Sequence, residues 1–420
     1  MAIVALVGTL DTKGTEYGRL RDHLHRHGIE TILIDTGVIG EPLVRPDITH
    51  CDVARAAGED LRHLREQDRG AAVTAMARGA TAIALDLYAT GRLHGVLALG
   101  GSGGTSMATQ VMRALPIGVP KLMVSSMASG NVAPYVGASD ITLMYSVVDI
   151  AGVNRISAPL LANAADAMAG MAEGYAHTPR AVRAEDLLAE GRPLVAASMA
   201  GVTTPGVDAA RERLTQLGYE VLVFHASGTG GRSLEALAGQ GLFAGVLDLT
   251  LSELADDLVG GILTAGPDRL ESAGRAGVPQ VVSLGALDMV KFGPLDTLPG
   301  RFRDRMIRVH NPSITVVRTT AQECAELGRR ITAKLRTATG PTAVLAPLRG
   351  LSTLGVPNGP YHDPRADAAL VAELSTGLSD SDVEFQTFDT HINDPAFGRA
   401  AAERLHRMIG RQSVTTAATA

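Results

Sequence analysis

Five short runs, IVALVG (3–8), TILID (31–35), GVLALG (95–100), KLMVSS (121–126) and ITLMYS (141–146), are apolar almost throughout, and each ends in Gly, Ser or Asp. A strand with no polar face must be covered on both faces, which is the condition of a parallel sheet between two layers of helices. The stretches between the runs supply those helices: TEYGRLRDHLHRHG (15–28) and the segment around Ala71 to Ala89 carry helical spacing. Strand, helix, strand in this order predicts a doubly wound α/β domain.

The pattern then restarts. PLVAASMAGVTTPGVDAARERLTQLGYEVLVFHASGTGG (193–231) repeats the order of the opening segment: strand, threonine-rich glycine loop, helix, strand, glycine. GVLDLT (245–250), QVVSLG (280–285), SITVVR (313–318), AVLAPL (343–348) and VEFQTF (383–388) read as further strands. The expectation is an α/β protein of two Rossmann-like doubly wound subdomains, with mainly parallel sheets and a cleft between them. The first is placed at 1–185 and the second at 186–412, joined through the charged stretch Thr178 to Arg192. The small polar tail 413–420 is expected to fray.

Composition removes several classes of function. A net charge of -6, no Trp and only 7 Phe and 7 Tyr leave neither a basic footprint nor stacking platforms for nucleic acid. Cys51 and Cys324 form no CxxC or Cys/His cluster, which suits a reducing compartment. The apolar start MAIVALVG is too short for a signal sequence, and no charge-free apolar run reaches 18 residues. A cytoplasmic protein that meets neither membrane nor nucleic acid, acts on a small molecule and forms a homo-oligomer is expected.

Ligands of an open parallel sheet sit beyond the C-terminal ends of its strands. That rule selects Asp11, Thr12 and Lys13, Asp35 to Gly37, Gly100 to Thr105, and Ser125 to Asn131. In VLALGGSGGTS, glycines and a serine lie between a strand and a helix, so the N–H groups of Gly101, Ser102, Gly103, Gly104 and Thr105 converge on an anion. The alternative is a tight turn that needs glycine for its backbone alone. GTLDTKG has the letters of a P-loop in the wrong order; Lys13 is placed to neutralise phosphates held by the glycine loop, and Asp11 to orient Lys13 or hold Mg2+ through water. Ser126 and Gly130 of SSMASGN complete the candidate set, against a reading as plain turn chemistry.

The second half offers acid/base and anion-binding residues near strand ends: His225 in HASGTGG, Asp248, Asp288, His310 with Asn311, Arg349, and Asp389 with His391 in DTHINDP. His225, His310, Arg349 and His391 are the candidate catalytic residues. Asp363-Pro364 and Asp394-Pro395 read as helix caps, and the histidines of HLHRHG as solvated. No residues are assigned to a metal.

VGTLDTKG, ALGGSGGT, SSMASGNVAPYVGASDITLMYSVVDIAGVN, HNPSITVVRTT, ATGPTAVLAPLRG and FDTHINDPAF together resemble the ATP-binding family named after the tomato mosaic virus resistance protein. The likeness runs from Ala2 to about Ile409. It implies ATP as the ligand, two Rossmann-like subdomains, and a TIM-barrel region that, where it takes part, comes here as a separate protein. Three functions are expected in descending order. The first is an ATP-dependent enzyme that acts on a small acidic metabolite by phosphoryl transfer or carboxylate activation. The second is a nucleotide-gated binding or regulatory protein. The third is a dinucleotide oxidoreductase, which the absence of G-x-G-x-x-G from the first loop disfavours.

Overall fold

The computed structural model describes residues 1–177 and 191–419. The chain forms two compact units, Met1–Ala181 and Val182–Ala420. The join expected at 185/186 lies outside the described residues.

The first unit is built on a five-stranded sheet of β1 (Ile3–Gly8), β2 (Glu30–Asp35), β3 (Gly95–Gly100), β4 (Lys121–Ser125) and β5 (Thr142–Tyr145), in the order β2-β1-β3-β4-β5. All four pairings are parallel. Alternate residues of each strand enter opposite layers, as the pleat requires. Val4, Leu6, Leu33, Leu97 and Leu99 pack under the helices Leu10–Arg26 and Ser157–His177. Ala5, Val7, Ile34, Val96 and Ala98 pack under Arg69–Ala89 and Ser102–Ala114. The uniformly apolar runs are therefore explained by burial on both faces.

The second unit repeats the plan with six parallel strands, β6 (Leu194–Met199), β7 (Glu220–His225), β8 (Gly245–Thr250), β9 (Gln280–Gly285), β13 (Thr342–Pro347) and β14 (Glu384–Phe388). Their order is β14-β13-β9-β8-β6-β7. Between β9 and β13 the chain inserts an antiparallel sheet of β10 (Met289–Phe292), β12 (Ile314–Arg318) and β11 (Ile307–Asn311), with β12 in the middle. SITVVR is thus a strand, but of this small antiparallel sheet rather than of the parallel one. The last helix spans Pro395–Thr419. Both expected caps form: Asp363 accepts from the N–H groups of Arg365 and Ala366, and Asp394 from that of Ala396. Both units are doubly wound and Rossmann-like.

Among the described residues no helix is long and apolar enough to cross a membrane.

Candidate functional site

In the order β2-β1-β3-β4-β5, the chain leaves β1 toward β2 on one side and later returns to β3 on the other. The loops after β1 and β3 therefore open side by side, which is where such sheets bind ligands. The structure has a cavity of about 720 Å3 there, walled by Asp11, Thr12 and Lys13 from the first loop and Gly101 to Gly104 from the second. The sheet order alone brings together two segments some ninety positions apart in the chain.

The glycine loop is an open helix start. Gly101 precedes the helix Ser102–Ala114 and no side chain caps it. The first helical bond is Thr105 N–H to the Gly101 carbonyl, 2.8 Å. The N–H groups of Ser102, Gly103 and Gly104 are thus left without an intrahelical acceptor at the cavity wall. Gly100 has to be glycine, because a Cβ there would lie 2.9 Å from the Cα of Gly104.

Opposite, Lys13 interrupts the first turn of the helix Leu10–Arg26 with non-helical torsions (φ -125°, ψ 15°), and its ammonium donates to the Ile150 carbonyl. Asp11 does not cap that helix. Its Oδ2 accepts from the N–H groups of Ile39 (3.3 Å) and Gly40 (3.1 Å), while Oδ1 is buried without a partner among the described residues. Beneath it, Asp35 accepts from the N–H groups of Leu10 and Gly37 and pairs with His50 at 3.0 Å. Burial holds the Asp35 carboxyl above its ordinary value. Thr36 also lines the cavity, buried and with its hydroxyl unpartnered.

Three of the expected binding residues stand back from the cavity. Thr105 is buried behind the loop with its hydroxyl 2.6 Å from that of Ser125. Ser126 lies beside Gly101, at 3.7 Å from where a Cβ on that glycine would be. Gly130 closes a turn onto the Met127 carbonyl at 3.1 Å.

Other lining residues were not singled out from the sequence. Arg65 and Arg69 come from the helical insert between β2 and β3, and the Arg69 guanidinium sits 3.8 Å from the Cβ position of Gly103. Arg69 makes no ion pair among the described residues, whereas Arg65 donates to the Val38 carbonyl at 2.7 Å. Asp149 enters from the segment after β5, turned by Val147 at φ 63°, a costly torsion for a β-branched residue. The deeper wall is apolar, with Leu64, Val73, Met76 and Met107. The lining thus combines cationic side chains and backbone N–H donors with apolar side chains.

The second unit treats its glycine loop differently. The carboxylate of Glu253, fully buried, accepts the N–H groups of Gly228 (2.6 Å) and Gly231 (3.1 Å) at the start of the helix Thr229–Gly239. Arg269, also buried, donates to Glu253 at 2.7 Å and to both oxygens of Asp248 at 2.5 and 2.7 Å. HASGTGG therefore holds a carboxylate of its own chain, and Asp248 is committed to an internal ion pair.

The four candidate catalytic residues do not converge on one point within this unit. His225 ends β7 and His391 follows β14, the opposite edges of a six-stranded sheet and so about 24 Å apart at the usual strand spacing. Arg349, in the loop after β13, lies near His391 but forks onto Asp389 at 2.6 and 2.8 Å and holds that carboxyl below the usual range. His391 accepts the Asn393 N–H on Nδ1 at 3.2 Å. His310 is exposed within β11, on the antiparallel sheet rather than at the end of a parallel strand. Asp288 is buried, bound by the Ser352 hydroxyl at 2.6 Å.

Comparison with known proteins agrees over nearly the whole length. Residues 2–177 match the N-terminal domain, and residues 192–409 the C-terminal domain, of the uncharacterised protein family UPF0261. A UPF0261 protein of Clostridium tetani is 45% identical over 407 residues, 97% of this chain and 98% of that one. Another from Rhizobium meliloti is 44% identical over 403 residues, 96% and 98% of the two chains. The tomato ToMV resistance protein Tm-1 is 36% identical over 420 residues, 95% of this chain and 55% of the longer tomato protein. The chain belongs to the UPF0261 family.

Proposed function

We propose that the first unit binds ATP, with its phosphates against Gly101 to Gly104 and its adenosine toward the apolar wall. The observation that carries this is the uncapped start of the helix Ser102–Ala114 opening into a cavity that Lys13 and Arg69 also line. Three unshared N–H groups, a helix dipole and two cations favour a multiply charged anion over a neutral ligand. The volume, about 720 Å3, suits a ligand of nucleotide size. Asp11 Oδ1, buried and unpartnered, fits a place for Mg2+ or one of its waters.

On this reading the protein is an ATP-dependent enzyme for a small acidic metabolite, with the second unit as the substrate side and a TIM-barrel protein as a candidate partner. The dispersion of His225, His310 and His391 over that unit, and the engagement of Arg349 by Asp389, favour a second reading: a nucleotide-gated binding protein without turnover of its own. One experiment separates them. Calorimetric titration with ATP and Mg2+ measures binding to wild type and to Gly103→Val, and mass spectrometry after incubation with candidate carboxylic acids seeks a product. Equal ATP affinity in folded Gly103→Val defeats the placement of the phosphates on this loop, absence of ATP binding to wild type defeats the proposal itself, and binding without any product supports the gated protein.

A further inference from the structure

HLHRH spaces His23 and His27 four residues apart, so at the C-terminal end of the helix Leu10–Arg26 they share a face. That face meets Asp166 of the helix Ser157–His177. His23 Nε2 lies 2.5 Å, and His27 Nε2 2.8 Å, from the same atom, Asp166 Oδ1. The imidazole centres are 5.3 Å apart. Among the described residues, this is the group of three His, Cys, Asp or Glu side chains whose donor atoms all fall within 4.8 Å of one another. The third histidine, His25, points elsewhere and bonds Thr31 at 2.9 Å.

We infer that His23, His27 and Asp166 form a binding site for a late first-row divalent cation, with Zn2+ as the ion that fits best. Two imidazole nitrogens and one carboxylate oxygen are a zinc donor set that leaves a fourth, tetrahedral position to water. Ligand atoms around tetrahedral Zn2+ stand about 3.3 Å apart, from bonds of about 2.0 Å. The two His–Asp distances would have to widen by about 0.5 to 0.8 Å, and the separation of the two histidine nitrogens, which lies within 4.8 Å, would have to settle at the same value. The side chains of His27 and Asp166 are 47% and 50% exposed, so rotation supplies that movement and solvent supplies the ion.

One neighbour opposes the ion. Arg26 Nη2 lies 2.8 Å from His23 Nδ1 and, as an obligate donor, keeps the proton of neutral His23 on Nε2. Ligation through Nε2 of a neutral imidazole needs that proton on Nδ1, so Arg26 has to swing away. It is exposed and can do so. The site is independent of the ATP reading: from Lys13 to His23 is ten helical residues, about 15 Å.

The test is calorimetric titration of tag-free protein with ZnCl2 in a non-chelating buffer. Wild type is expected to take up one tightly bound Zn2+ at this site. His23→Ala, His27→Ala and Asp166→Ala should each weaken it by more than about 10-fold, the lower end of what even an outer-shell change costs a metal site. His25→Ala should bind as wild type, and Arg26→Ala as tightly or more tightly. Zn2+ should also raise the unfolding temperature of wild type by joining two helices, and not that of His27→Ala. Absence of binding to wild type, or unchanged affinity in the three ligand variants, overturns the inference.

Discussion

The hydroxyl of Tyr17 accepts the N–H of Leu99 at 3.0 Å and donates to the carbonyl of Val7 at 2.5 Å, so one side chain ties β1 to β3 where their ladder ends. The two strands pair only as far as Leu6 and Leu97, then part at the mouth of the cavity. The phenol fills the gap, and Gly8 makes room for it: a Cβ there would lie 2.1 Å from the hydroxyl. Burial raises the Tyr17 pKa and keeps the phenol protonated.

Tyr17→Phe therefore leaves a buried N–H and a buried carbonyl unpaired. The expected loss is about 1 to 3 kcal/mol in unfolding free energy, measured by urea denaturation. A loss within error of zero would show that the strands close on each other without the hydroxyl.

Lys13→Ala should weaken ATP by ~1.5 to 3 kcal/mol, the range of a charge-assisted contact, and leave adenosine almost untouched. Parallel calorimetric titrations with the two ligands make the comparison. Equal losses would point to damage of the fold around Ile150, which holds the lysine in the free protein.

Arg69→Ala tests a residue that the fold, rather than the motif, places at the cradle. Among the described residues its guanidinium has no ion pair to lose, so stability should stay within about 0.5 kcal/mol of wild type. ATP affinity should fall, and its dependence on salt should become shallower because one cation fewer meets the phosphates. An unchanged salt slope, read from titrations at several ionic strengths, would remove Arg69 from the site.

Asp288 predicts a pH dependence of stability. Burial pushes its carboxyl up to about 6 from 3.8, and its Oδ1 has no hydrogen-bond partner among the described residues. Between those values the folded state holds a proton that the unfolded state has released, so rising pH favours unfolding. Below about pH 4 the group is neutral in both states and the effect vanishes. Asp288→Asn should gain stability relative to wild type as pH rises from 4 to 7, followed by chemical denaturation at each pH. A constant difference would mean that the carboxyl titrates normally.

The parallel sheets were legible because double burial leaves strands such as GVLALG without a polar face. The glycine loop at a strand end was legible because its pattern is local: a strand, glycines and a helix in direct succession. The antiparallel insert was not. β10 is four buried residues and β11 four exposed positions out of five, so neither shows an alternation that a period could reveal. Arg65 and Arg69 were hidden for another reason, since they sit in a charged helical stretch and reach the cavity only through packing of the insert on the sheet. HASGTGG and GGSGGT look equivalent as strings. What separates them is Glu253, twenty-two residues beyond Gly231, and no local pattern announces that it will fold back.

That carboxylate gives the two units different thermodynamic characters. A ligand that enters the first loop protects its unit from unfolding by an amount that grows with the logarithm of its concentration. Glu253 is tethered to the loop it fills, so its occupancy has no concentration and its protection is constant. If the first unit binds ATP as proposed, dilution or dialysis should loosen its loop, while Glu253 keeps its hold on the loop of the second unit. Hydrogen exchange recorded against ATP concentration should show protection that grows in the helix Ser102–Ala114 and protection that stays constant in the helix Thr229–Gly239.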